Sequence, residues 1–118
     1  MNPSPDYRPY WLAMVTLFHT TDAAEAILKD GFRDGEGSYM FVGLTLRGVF
    51  LARSPADGNV GAKGEQVLEV TFPDEVDLSE YAIVEDGMPQ WEWCVPADLI
   101  NREAAVRLLA EDEIARLP

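Results

Sequence analysis

The sequence predicts an α+β fold built as one domain around a single modest core. Three observations carry this. Roughly five to seven short runs read as strands, while only two segments show helical periodicity. The strands lack regular intervening helices, which argues against a doubly wound parallel sheet. And a chain of 118 residues rarely divides.

The elements follow in order. The prolines of Met1-Asn2-Pro3-Ser4-Pro5-Asp6 mark residues 1–12 as a loose leader, ahead of one domain over 13–118. With no basic region before an apolar stretch, this segment does not read as a signal peptide. Residues 11–18 are apolar and rich in strand formers. The strand ends at His19, the only histidine, and runs straight into a short helix. Thr21 or Asp22 is expected to cap that helix, with Asp22 and Glu25 at capping-box spacing. Ala23, Ala24, Ile27 and Leu28 form its apolar stripe, Gly31 stops it, and Phe32 returns the chain to the core.

Residues 33–37, with Asp34-Gly35-Glu36-Gly37, read as an exposed loop. Short buried strands are expected at 39–42 and 49–52, around a turn containing Gly43 and Gly48. Residues 54–59 start like a capped turn and break at Gly58. In 66–72, Val67, Glu69 and Thr71 alternate with Leu68, Val70 and Phe72, a clear strand that Pro73 ends. Residues 81–84 and 91–95 complete the strands, the last stopped by Pro96. Asn101 is expected to cap a final helix, which Ala104, Ala105, Leu108, Leu109 and Ala110 carry to about Leu117.

Composition narrows the function. No apolar run approaches the ~20 residues of a membrane helix. Cys94 is the sole cysteine, so internal disulfides and multi-cysteine metal sites are excluded and a cytoplasmic setting is the default. The net charge of −12 is uneven: residues 1–59 hold five Lys/Arg against seven Asp/Glu, and residues 60–118 hold four against fourteen. Such a field repels polyphosphates, so extended nucleic acid is not an expected partner. Lys29, Arg33, Arg47 and Arg53 nevertheless cluster along the chain around the candidate site, where a small anion can be held. Their plainer reading is solvated surface charge.

The candidate site rests on three segments: Leu17-Phe18-His19-Thr20-Thr21, Gly48-Val49-Phe50-Leu51-Ala52, and Gln90-Trp91-Glu92-Trp93. A histidine at a strand-to-helix corner sits where backbone N–H groups and a polar ring can meet a ligand. On strand parity Gln90, Glu92 and Cys94 share one face, opposite Trp91, Trp93 and Val95. If the tryptophans pack inward, Glu92 faces a cleft or solvent. A cleft glutamate suits a ribose hydroxyl and a developing positive charge. Taken singly, the histidine also reads as a structural hydrogen-bonder and the glutamate as an exposed strand residue.

In this order the segments resemble the ADP-ribosyltransferase superfamily, in its diphtheria-toxin and poly(ADP-ribose)-polymerase branch. That branch carries a histidine, an aromatic and a glutamate on three separate strands. Leu17 to Thr21, with Ile27-Leu28-Lys29-Asp30-Gly31-Phe32, is similar to the histidine motif. Tyr39-Met40-Phe41, then Gly48 to Ala52 and Ser54, is similar to the aromatic motif. Glu92-Trp93-Cys94-Val95-Pro96 is similar to the glutamate motif. The likeness covers about residues 15–109 and departs from the pattern in four respects. Thr20 stands where glycine is usual, and Phe50 where tyrosine is usual. The second stacking tyrosine of many polymerases would fall near Gly61 and is absent, and the chain is very short for a catalytic domain of this kind.

The resemblance implies a compact ADP-ribosyltransferase-like split β-sheet core with two main helices. It implies NAD⁺ as substrate and mono-ADP-ribosyl transfer, with nicotinamide released and no metal. His19 and Thr21 would hold ribose hydroxyls, Thr20 would offer backbone groups to the carboxamide, and Phe50 would pack on the nicotinamide. Arg33, Arg47 or Arg53 would pair with the pyrophosphate, and Ser54 is a further cofactor-binding candidate. Glu92 would stabilise the oxocarbenium-like transition state, and Gln90 would meet the acceptor. Two alternatives stay open. One is a non-catalytic NAD-, nucleotide- or protein-binding domain of the same fold, whose acidic second half suits a basic protein partner. The other is an RNA 2′-phosphotransferase-like enzyme. The motif order and the strand parity around Glu92 lead to the expectation that His19, Phe50 and Glu92 line one cleft.

Overall fold

A computed structural model describes residues 14–39, 44–55, 64–83 and 92–117. Its frame is an antiparallel six-stranded sheet with three short α-helices, an α+β fold. The strands are β1 (Met14–Thr21), β2 (Gly35–Tyr39), β3 (Leu44–Ala52), β4 (Gln66–Pro73), β5 (Glu92–Val95) and β6 (Ala105–Leu108). The helices are α1 (Ala24–Asp30), α2 (Ala97–Glu103) and α3 (Glu111–Ala115). The sheet runs β2-β3-β1-β4-β6, and β5 also pairs with β3.

β1 and β4 form the backbone of the fold. They pair in unbroken register from Met14↔Pro73 to Thr21↔Gln66. Alternation then sorts their side chains. Leu17, Leu68, Val70 and Phe72 join Val49, Leu51 and Val95 on one face, under Ala24 of α1 and Ala97 and Ile100 of α2. Phe18 and Val67 take the other face with Leu109, packed against Ile114 and Leu117. Both faces are therefore covered, the first by α1 and α2 and the second by α3.

Between β1 and β3 the ladder is nearly absent. Among the described residues, Phe18↔Ala52 is the pair that joins them. On its opposite edge β3 is served by two strands: β2 along Leu44 to Gly48, and β5 along Val49 to Ala52. The sheet thus opens between β1 and β3 at the end of β1 that carries His19.

Several expectations are corrected. Residues 33–37 are not a free loop: Gly35 begins β2, and Asp34 Oδ1 accepts the Ala97 N–H at 2.8 Å. Gly48 lies inside β3 rather than in a turn. The expected strand at 81–84 is a 3₁₀ turn over Ser79–Tyr81, followed by one bridge from Ala82 to Trp93. The α1 cap is also different. Thr21 Oγ1 accepts the Ala23 N–H at 3.0 Å and Gln66 Oε1 the Ala24 N–H at 3.2 Å, while Asp22 turns to the Glu65 N–H.

The largest correction is at the C-terminus. The single expected helix from Asn101 is α2, then β6, then α3, so the described residues hold three α-helices rather than two main ones. Asn101 lies inside α2 and does not cap it. The run from Ala104 to Ala110 is almost continuously apolar, and such a run does not distinguish a helix from a strand. The exposed edge of β4 decides: it pairs Val70 with Val106 and Leu68 with Leu108. The Leu109 N–H to Val67 carbonyl bond extends this ladder.

The expected leader at 1–12 lies outside the described residues, as do 40–43, 56–63 and 84–91. Among the described residues, no helix is long and apolar enough to cross a membrane.

Candidate functional site

His19 stands where β1 and β3 part. Its Nδ1 lies 2.8 Å from the Phe50 carbonyl oxygen. A carbonyl only accepts, so Nδ1 carries the proton and the imidazole side chain replaces a missing ladder bond. The tautomer follows: Nε2 is the nitrogen left with a lone pair. Among the described residues Nε2 has no hydrogen-bond partner. The ring stands T-shaped against Phe32, with centroids 5.3 Å apart and planes at 82°. Burial pushes the His19 pKa below its ordinary value, against the weaker upward pull of the Phe50 carbonyl. The ring is therefore neutral near pH 7 and offers an acceptor.

Beside it lies a hollow of about 510 Å³, within the ~300–1,000 Å³ range of small-molecule sites. His19 and Phe50 line it from the strands, Ala26, Ile27 and Asp30 from α1, and Phe32 and Arg33 from the segment that follows. The wall is mainly apolar, with one neutral acceptor, one carboxylate and one guanidinium. That pattern suits a flat or sugar-bearing ligand with an anionic group.

Glu92 lies elsewhere. The register Phe18↔Ala52 and Ala52↔Glu92 carries all three residues onto one face of the sheet. That is the face of Phe18 and Val67, whereas His19 shares the face of Leu17 and Leu68. Glu92 lines a second crevice with Phe18, Thr20, Phe50, Ala52 and Pro55, which leaves no room for a water molecule. The expectation that His19, Phe50 and Glu92 share one cleft is thus not met. Phe50 touches both hollows, but His19 and Glu92 open on opposite faces. The physical reason is parity: His19 is odd and Phe18 even in a strand whose even residues align with Glu92.

The remaining candidates fall as follows. Thr20 and Phe50 join Glu92 at the crevice. Phe50 is only 3% exposed, so its ring offers little face for stacking. Thr21 is buried, and its oxygen holds the start of α1 rather than an open ribose contact. Arg53 and half-buried Ser54 follow directly after Ala52, and Arg47 lies on β3 opposite Glu36. Of the arginines, Arg33 lines the hollow. Gln90 lies outside the described residues. Burial, and then the nearby Asp34 carboxylate, push the Cys94 thiol up, so it stays protonated at neutral pH. Among the described residues, no cluster of His, Cys, Asp and Glu is arranged to hold a metal ion.

Phe32 and the inner side of α1 are the parts of the site that sequence reasoning did not assign to it. Their only local signal was that Gly31 and Phe32 follow the histidine motif at short range. Comparison with protein-family models, with curated proteins and with solved structures found no match.

Proposed function

We propose that this protein binds NAD⁺ or a closely related nucleotide in the hollow beside α1, as a domain of the ADP-ribosyltransferase kind. The observation that carries the reading is the fixed tautomer of His19. A neutral imidazole that keeps an acceptor nitrogen and lines a largely apolar hollow suits a ribose hydroxyl donor. Arg33 supplies a guanidinium fork for phosphate oxygens. The motif order of the three strand segments supports the choice of ligand.

Calorimetry with NAD⁺ tests this. The expected affinity is micromolar to millimolar, about 4–8 kcal/mol, and both His19→Ala and Arg33→Ala weaken it. Absence of heat at millimolar NAD⁺, and of competition by other adenine nucleotides, refutes the proposal.

A different reading, transfer of ADP-ribose with release of nicotinamide, is favoured by one observation. Thr20, Phe50 and Glu92 meet at one crevice across the place where β1 and β3 part. In this reading the nicotinamide ribose enters the Glu92 crevice rather than the hollow, which requires the crevice to widen, since as it stands it holds no water-sized space. Glu92 then stabilises the positive charge that grows as the glycosidic bond breaks, and the acceptor is a protein or small molecule. Glu92→Gln then keeps NAD⁺ binding and lowers nicotinamide release at least about tenfold, a loss confined to kcat. NAD⁺ binding without any nicotinamide release by the parent selects the binding reading over the transfer reading.

A further inference from the structure

We propose that Asn101, on α2, is a positioning residue for the His19 hollow, acting through the backbone of Phe32. Its side-chain amide takes both backbone groups of that residue. Oδ1 accepts the Phe32 N–H at 2.8 Å, and Nδ2 donates to the Phe32 carbonyl at 2.9 Å. The two bonds reproduce what a neighbouring strand would give, in a segment that precedes the start of β2. They fix the backbone that holds the Phe32 ring T-shaped against His19.

Gly31 makes the approach possible. A Cβ there would stand 3.1 Å from the Asn101 amide, and the residue holds φ +89°, which side chains other than glycine's rarely adopt. Another strap lies two residues beyond Phe32, where the Asp34 carboxylate takes the Ala97 N–H at the start of α2. One helix therefore grips the wall segment at both Phe32 and Asp34. Phe32 and Arg33, both lining the hollow, lie between or at these grips. Asn101 itself is at the surface and reaches the hollow through this backbone.

The consequence for ligand binding rests on the function proposed above; the consequence for His19 does not. The test therefore reads both. His19 is followed by NMR titration in the full chain, together with calorimetry using NAD⁺ as the probe. In Asn101→Ala the freed Phe32 ring admits water to His19, so its titration midpoint moves up towards the ordinary imidazole value. The charged neighbours on the hollow, Asp30 and Arg33, are unchanged by the substitution. NAD⁺ affinity falls roughly two- to thirtyfold, the span shown by residues that act through a packed network.

Asn101→Ser adds no charge and is too short to hold both Phe32 groups, so its His19 midpoint also moves up, by no more than that of Asn101→Ala. It also serves if Asn101→Ala does not fold. A folded Asn101→Ala or Asn101→Ser whose His19 midpoint equals the parent's overturns the proposal. If the midpoints move but the parent binds no NAD⁺, the positioning role stands and the choice of ligand falls.

Discussion

The Nδ1–H of His19 gives its hydrogen bond to the Phe50 carbonyl, so protonating Nε2 would place a charge on a ring that burial has withdrawn from water. The sign of the resulting pH dependence follows from the lowered pKa. The unfolded chain takes up a proton near pH 6.5 while the folded chain resists it, so stability is complete above about pH 6.5. It is lost progressively as pH falls from there through the folded-state value. Denaturant unfolding between about pH 5 and 8 should show this slope, and His19→Gln should flatten it. Gly64 makes another prediction at this scale. A Cβ at that position would collide with the Thr21 carbonyl group, and φ is +153°. Gly64→Ala therefore forces apart the corner after β1 and should cost about 1–3 kcal/mol, read by chemical denaturation.

Among the elements, α3 is held by few means. Its N-cap is Ala110, whose backbone is extended as a cap requires but whose side chain offers no acceptor. Glu113 supplies only the return half of a capping box, accepting the Ala110 N–H at 3.1 Å. The same carboxylate pairs with Arg107 of β6 at 2.8 Å. The Ala110 N–H first, and Arg107 second, hold the Glu113 carboxyl below its ordinary value. Ala110→Ser adds the missing acceptor and should stabilise the protein by about 1 kcal/mol. In a thermal melt that is a rise of roughly 3–6 °C for a domain of this size. The helix covers Phe18 and Val67 through Ile114 and Leu117, so the gain reaches the second face of the sheet.

At the scale of the molecule, stability is concentrated where β1 and β4 cross beneath α1 and α2. Phe72 is fully buried there with Leu68, Val70 and Ile100. Phe72→Ala should cost about 3–5 kcal/mol, a large part of the ~5–15 kcal/mol that a domain possesses. Equilibrium unfolding in urea checks this, with a lower midpoint at unchanged slope. The opening between β1 and β3 has the contrary property. Among the described residues, one backbone pair and the His19 imidazole bond are the links seen between these strands, so the sheet is weakly joined beside the hollow. Amide exchange should be faster in residues 49–51 on the β1 side than in the β1–β4 ladder.

The sequence by itself determined the α+β class, the β4 alternation, the stop of α1 at Gly31 and the position of His19 at a strand-to-helix corner. Each is a matter of period, turn chemistry or backbone freedom within a few residues. Tertiary structure decided the rest. Residues 105–108 became a strand because β4 presented an open edge, although their local pattern admits a helix. Asn101 left its expected capping role because Phe32, 69 positions away, offered both backbone groups at once. His19 and Glu92 were parted by the pairing of Phe18 with Ala52, a one-residue matter of register. Parity along one strand can be read from a sequence, but the register between strands depends on packing across the whole sheet.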